Sequence, residues 1–254
     1  MIKQTLLILA LLGVVSCSDK PNNNEEIEKN LSEIKQQLLL VTQEVVQLRQ
    51  EFAQVKNSEN EQEKVQSLTE LALFSDELTK LGTDKAEYAI VEYMDYQCPY
   101  CLRHAEKVLP ALKRKYIDSG LVQYIVRDFP LEFHTEAKSA AKLAQCSAQQ
   151  DEFYAAHQLL IAKSRELGRV PYASLASELN LDLDKFEQCF NDPILDKKLD
   201  LSLITAAKLG VSGTPRFFIG KIEGSKLVNV ISLSGARSKE TFEQALAHVF
   251  NVNN

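Results

Sequence analysis

The chain has 254 residues, 45% apolar and 25% charged, with only 9 Gly and 7 Pro, which excludes pervasive disorder and fibrous repeats and leaves room for one or two domains. Its 29 basic against 35 acidic side chains give a net charge of −6, so there is no general positive surplus to grip phosphate, and nucleic acid is not an expected partner. Five cysteines, at 17, 98, 101, 146 and 189, place one apart from two pairs.

Lys3 and the free amino group make a short positive start, Thr5 to Ser16 runs apolar, and the chain turns polar after Cys17, the pattern of an export signal. A membrane-spanning anchor competes with that reading, but twelve residues at 1.5 Å rise reach only ~18 Å across a core about 30 Å thick. Val14-Val15-Ser16-Cys17 resembles the bacterial lipobox. The resemblance implies cleavage before Cys17 and its lipidation, with several acyl chains as a stable anchor. Ser18 after the cysteine would then favour the outer membrane. A secreted chain cleaved nearby is the alternative. Either way the mature protein would work in an oxidising compartment where disulfides persist, and as a lipoprotein it would sit in the cell envelope, facing the periplasm.

Ile27, Leu31, Ile34, Leu38, Val41, Val45, Leu48, Phe52 and Val55 follow at alternating steps of four and three, a heptad seam without Gly or Pro. Glu44 with Arg49 and Glu51 with Lys56 would pair across a parallel neighbour, so residues 24–56 are expected to form a coiled coil that associates copies of the chain. One amphipathic helix folded back on its own globular part is the competing reading. Asn57 to Lys64 is polar and unpatterned, a linker.

Ala89 to Tyr96 is largely apolar and rich in β-branched and aromatic residues, which predicts a strand buried on both faces. It leads straight into Cys98-Pro99-Tyr100-Cys101, after which Leu102, Ala105, Val108, Leu109 and Leu112 recur at helical spacing, with a kink expected at Pro110. Cys98 thus falls where a helix begins, where free amide groups and the helix dipole stabilise a thiolate, the species that attacks a disulfide or leaves from one. Three residues of spacing keep Cys101 on the same face, close enough to resolve a mixed disulfide formed by Cys98. Half a zinc site is the rival reading, but His104, His134, His157 and His248 supply no second pair of ligands at short spacing. No metal and no small-molecule cofactor is expected. A purely structural disulfide is the other alternative.

Three segments together resemble the thioredoxin-fold DsbA family of bacterial thiol-disulfide oxidoreductases, over roughly residues 70 to 254. They are Val91-Glu92-Tyr93 through Cys101, Arg127-Asp128-Phe129-Pro130-Leu131, and Gly210-Val211-Ser212-Gly213-Thr214-Pro215. The resemblance implies an α/β thioredoxin-like fold with an inserted helical domain, preceded here by the coiled-coil helix. The expected organisation is a signal peptide over 1–17, the coiled coil and linker over 18–64, and the catalytic domain over 65–254. The resemblance also implies that Cys98 is the nucleophile, that Cys101 is the more buried resolving thiol, and that Thr214-Pro215 is a cis-proline loop binding substrate. Glu92 matches the family's buried acid and would shuttle protons for Cys101, or else serve as a paired structural carboxylate.

After a strand at Leu121 to Val126, helical periodicity returns around Ala137 to Ala148, Glu152 to Ala162, Tyr172 to Leu179 and Leu183 to Phe190, within an insert of about 134–210. Cys146 and Cys189 lie on two of these helices and are expected to be bridged, the alternative being two buried thiols. Arg216 to Ile219 and Leu227 to Ile231 read as a closing hairpin, followed by a helix from Ser238 toward Phe250. The function expected is disulfide formation or exchange in exported proteins, with a membrane partner that resets the cysteines. An oligomeric isomerase and a noncatalytic coiled-coil scaffold are the alternatives.

Overall fold

The computed structural model of the protein describes residues 30–47, 49, 65–72 and 79–252. Cys17 with the export signal, the heptad residues Ile27, Leu48, Phe52 and Val55, and the linker over 57–64 lie outside the described residues. The chain divides into two units, Met1–Glu59 and Asn60–Asn254. In the first, helix α1 covers 30–47, and its seam residues Leu31, Ile34, Leu38, Val41 and Val45 are 43–64% exposed.

The second unit is built on a six-stranded sheet. In chain order its strands are β1 (Val65–Ala72), β2 (Lys80–Leu81), β3 (Tyr88–Met94), β4 (Val122–Asp128), β5 (Arg216–Glu223) and β6 (Lys226–Ser234), arranged β1-β6-β5-β3-β4-β2. Only β3 and β4 run parallel, and every other neighbouring pair is antiparallel. All seven positions of β3 are buried, as the apolar run predicts for a central strand covered on both faces.

Strand alternation sorts the core. Ile90, Met94, Tyr124, Val126, Phe217 and Ile219 join one cluster with Cys98 and Cys101, while Ala89, Val91, Tyr93, Ile125 and Phe218 form the other. Period two therefore puts Glu92, between Ile90 and Met94, on the face that carries the two sulfurs. Helices α2 (Pro99–Lys107), α3 (Leu109–Leu112) and α9 (Lys239–Val252) contribute to that same cluster. The kink expected at Pro110 is a full interruption: α2 ends at Lys107, and α3 passes into a π turn over Lys113–Ile117. Pro110 has no N–H to bond backwards, and its ring crowds the preceding turn.

Between β4 and β5 lie α4 (Ala137–Ala148), α5 (Phe153–Ala162), α6 (Tyr172–Glu178), α7 (Leu183–Phe190) and α8 (Pro193–Lys208). The first four fall within a residue of the sequence-based bounds. The sixteen-residue α8 was not anticipated, although Asp192 caps it by accepting the Ile194 N–H at 2.8 Å and Pro193 occupies the first turn. Cys146 on α4 and Cys189 on α7 form a disulfide with Cα atoms 5.7 Å apart.

Candidate active site

β3 stops at Met94 because Asp95 turns its polar groups inward. Its carbonyl accepts the Cys98 N–H at 3.1 Å, and its carboxylate takes the Gln97 N–H at 2.7 Å, the Leu131 N–H at 2.8 Å and His134 Nδ1 at 2.8 Å. Gln97 Oε1 accepts the Glu136 N–H at 2.7 Å, and Tyr96 Oη shares a hydrogen bond with His157 Nδ1 of α5 at 3.2 Å. The loop that carries the cysteines is thus tied to the helical insert at three successive residues.

Cys98 occupies the N-cap of α2, with φ −74° and ψ 118°, and its carbonyl accepts the Leu102 N–H at 3.0 Å. Pro99 fits the first turn, where no N–H is needed, and no acidic side chain stands there to compete with the sulfur for the helix amides. Cys98 keeps 4% of its surface beside the exposed Tyr100, whereas Cys101 keeps none. Both are free thiols.

The Thr214-Pro215 peptide is cis. Cys98 Sγ lies 3.4 Å from the Thr214 carbonyl oxygen, so the proline loop faces the outer sulfur across 116 residues of sequence. The two thiols are driven apart in acidity. A hydrogen bond from the Cys101 thiol, followed by the amides of Cys101 and Tyr100, lowers Cys98 to about 5 against the opposing effect of burial. Burial pushes Cys101 well above the ordinary thiol value, and the neighbouring Cys98 and Glu92 push it further.

Glu92 is buried and has partners that sequence reasoning did not supply. Tyr124 Oη donates to Glu92 Oε2 at 2.5 Å, and His104 Nε2 lies 3.0 Å from the same Tyr124 oxygen. Tyr124 Oη thus links the Glu92 carboxyl to the His104 imidazole in one hydrogen-bonded chain. Burial raises Glu92 to about 8, opposed by the Tyr124 bond, and burial holds His104 at about 3, hence neutral. Glu92 Oε1 has no hydrogen-bond partner among the described residues. At neutral pH the carboxyl is protonated, with its proton free to sit on Oε1. His104 was legible only as a residue one turn beyond Cys101 on the buried face of α2. Tyr124 could have been found from its place opposite Ile90 in the parallel ladder, two residues from Glu92 along that face.

Thus the structure brings Cys98, Cys101, Glu92, Thr214 and Pro215 together, while the Cys146–Cys189 bridge sits apart in the insert. Among the described residues no group of three His, Cys, Asp or Glu side chains could hold a metal ion, and no helix is long and apolar enough to cross a membrane.

Residues 75–238, more than half the chain, match the family model described as thioredoxin. A Rickettsia typhi protein named by inference a protein-disulfide oxidoreductase is 28% identical over 152 residues, covering 56% of this chain and 54% of that one. Part of a Na(+)/H(+) antiporter, NhaA 3 of Salinispora tropica, is 35% identical over 156 residues, covering 61% of this chain but only 23% of the antiporter. The chain therefore spans from 23% to 54% of the length of these curated relatives. Among solved structures, alpha-DsbA1 of Wolbachia pipientis superposes with a TM-score of 0.58 at 27% identity, covering 71% of this chain and 94% of that one.

Proposed function

The chain belongs to the thioredoxin family and is DsbA-like within it, and from that premise we propose that it is a thiol-disulfide oxidoreductase acting through Cys98 and Cys101 on exported proteins. One observation carries the reading: Cys98 stands at the N-cap position of α2, and its sulfur meets the carbonyl that precedes a cis-proline. A client strand could pair with the backbone at Thr214 and bring its own sulfur beside Cys98.

In the oxidising direction a client thiolate attacks the Cys98 sulfur of the Cys98–Cys101 disulfide. Cys101 leaves as a thiolate and, being a weak acid in its buried setting, takes a proton; Glu92 is placed to supply it from Oε1, with Tyr124 and His104 holding Oε2. A second client thiolate then attacks the client sulfur of the mixed disulfide. Cys98 departs as a stable thiolate, leaving the client oxidised and the enzyme reduced. A low Cys98 value favours this direction because it stabilises the reduced enzyme. A redox partner in the membrane would reoxidise the pair, and Cys17 would tether the protein to the envelope.

An oligomeric isomerase is the second reading, favoured by the exposed Leu31, Ile34, Leu38, Val41 and Val45 along α1. Both readings are tested by incubating the full chain, and a form lacking residues 24–56, with reduced and with scrambled ribonuclease, while sedimentation reports oligomer number. An oxidase forms disulfides in the reduced client with either form and recovers the scrambled client poorly. An isomerase recovers scrambled ribonuclease and loses that ability with the coiled coil. No effect on either client would reject the enzyme and favour a scaffold, and an unchanged oligomer number after deletion would reject association through 24–56.

A further inference from the structure

Thiol exchange as derived above leaves open why an imidazole stands behind the redox pair. The His104 ring is wholly buried one turn beyond Cys101 on α2, tilted against Phe217 of β5 at 4.5 Å and Phe242 of α9 at 5.0 Å. A polar ring in such an apolar cage is costly unless its polar atoms are used. His104 Nε2 meets the Tyr124 hydroxyl at 3.0 Å, while Nδ1 has no hydrogen-bond partner among the described residues. The polar contact of the ring thus goes to one oxygen, and that oxygen donates to Glu92 Oε2 at 2.5 Å.

The direction of this chain of hydrogen bonds depends on the state of Glu92. A protonated carboxyl can donate to Tyr124 or accept from it, and His104 then accepts or donates in turn. A carboxylate can only accept. Once Glu92 has lost its proton, the single Tyr124 hydroxyl proton must point at Oε2, and His104 Nε2 can pair with the Tyr124 oxygen only as N–H. The imidazole bond therefore favours the ionised acid over the neutral one, as a group that aids proton transfer must. Burial, with His157 of α5 adding to it, holds His104 neutral, so it acts through its N–H dipole. A cation there would keep Glu92 ionised throughout, with no proton to give. The other titratable groups that face the network, Cys98 and Cys101 on α2, Tyr96 before it and the neutral His157, supply no such cation.

We propose that His104 is a positioning residue for the Cys101 step: as the Nε2–H form it turns the Tyr124 hydroxyl toward Glu92 and so sets how readily Glu92 exchanges a proton with Cys101. The proposal rests on the oxidoreductase reading and deepens its proton transfer. When Cys101 resolves a mixed disulfide, its thiol proton passes to the Glu92 carboxylate, the Cys98–Cys101 bond forms, and the client sulfur leaves as a thiolate.

The test mixes the reduced full chain with a disulfide-bonded peptide, quenches in acid, and follows mixed disulfide and oxidised protein by mass from pH 6 to pH 10. In the wild type, decay of the mixed disulfide should accelerate through a midpoint near pH 8 as Glu92 ionises. In His104→Phe, which fills the cage without a donor, the midpoint should rise and decay at pH 7.5 should slow roughly threefold to tenfold, with Cys98 attack unchanged. His104→Gln, whose amide can donate to the same oxygen, should stay within about twofold of the wild type, thermal melting confirming the fold of both variants. Nitrogen NMR of the unsubstituted reduced protein at pH 9 gives a second reading, with the proton on Nε2 and none on Nδ1. An unchanged profile in His104→Phe, equal slowing in both variants, or a proton on Nδ1 at pH 9 would overturn the role of His104, while resolution by the wild type upheld the oxidoreductase. No mixed disulfide with any form would overturn the oxidoreductase reading and this role with it.

Discussion

Replacing Cys98 with Ala should abolish disulfide exchange, a loss of at least about a thousandfold, while leaving the fold intact, since it removes one sulfur at a helix start rather than a large core side chain. Cys101→Ala should behave differently. Attack and mixed-disulfide formation at Cys98 survive, resolution does not, and clients should accumulate as adducts visible on nonreducing gels. The two phenotypes follow from position: Cys98 borders the client's approach beside Thr214, and Cys101 is sealed behind it. Glu92→Gln and Tyr124→Phe complete the series, with the mixed disulfide forming normally and Cys101 leaving or attacking more slowly. Glu92→Gln should also change how stability depends on pH. The folded pKa of Glu92, about 8, lies above its unfolded value, so its contribution is complete below that unfolded value and is lost as pH rises through about 8. The Gln variant should escape that loss, and urea unfolding at pH 6 and pH 9 measures it. If Cys98→Ala retained exchange, the assignment of the nucleophile would be wrong.

Removing the second cysteine pair should cost stability rather than chemistry. Cys146 and Cys189 are 43 residues apart, and a closed loop of that size restricts the unfolded chain by about 4 kcal/mol in the chain-entropy account. The bridge fastens α4 to α7. The double variant with Ala at both positions should therefore melt roughly 8 to 16 °C lower and still exchange disulfides at permissive temperature. A loss below about 1 kcal/mol would show that the packing of the insert suffices without the crosslink. A matching collapse of exchange at low temperature would mean that the insert positions the site through Tyr96 and His157 more strictly than the geometry suggests.

How much of this was legible in the sequence depended on whether the signal was local. Cys98 could be placed at a helix start because Pro99 and the apolar spacing after Cys101 mark the boundary within a few residues. Glu92 stood out as a lone carboxylate in an apolar strand, but its partners arrive from α2 and β4, and no short-range pattern joins His104 to Tyr124. The cis bond before Pro215 is invisible to residue statistics and came only through resemblance. Helix α8 carried readable signals, an Asp cap and a Pro in its first turn, yet Ile194, Leu201 and Ile204 face outward and blur its apolar stripe. Strand β1 has no alternation of its own. It exists through its ladder with β6, and β2 is two residues long, so neither could be read locally.

The account stands on one sulfur being far more acidic than an ordinary thiol because of where the chain folds it. Ultraviolet absorbance of the thiolate, followed from acid to alkaline pH in the reduced protein with Cys101→Ser as reference for the buried thiol, reads that property directly. The sign is determined: Cys98 has a folded value near 5, below its unfolded one, so it stabilises the reduced protein above the unfolded value and loses that contribution as pH falls through about 5. A single thiolate should therefore titrate with a midpoint near pH 5 and stay ionised at neutrality, and the reduced form should resist urea better than the oxidised form there. A midpoint near the free-thiol value of about 8.5, with both redox forms equally stable, would contradict it.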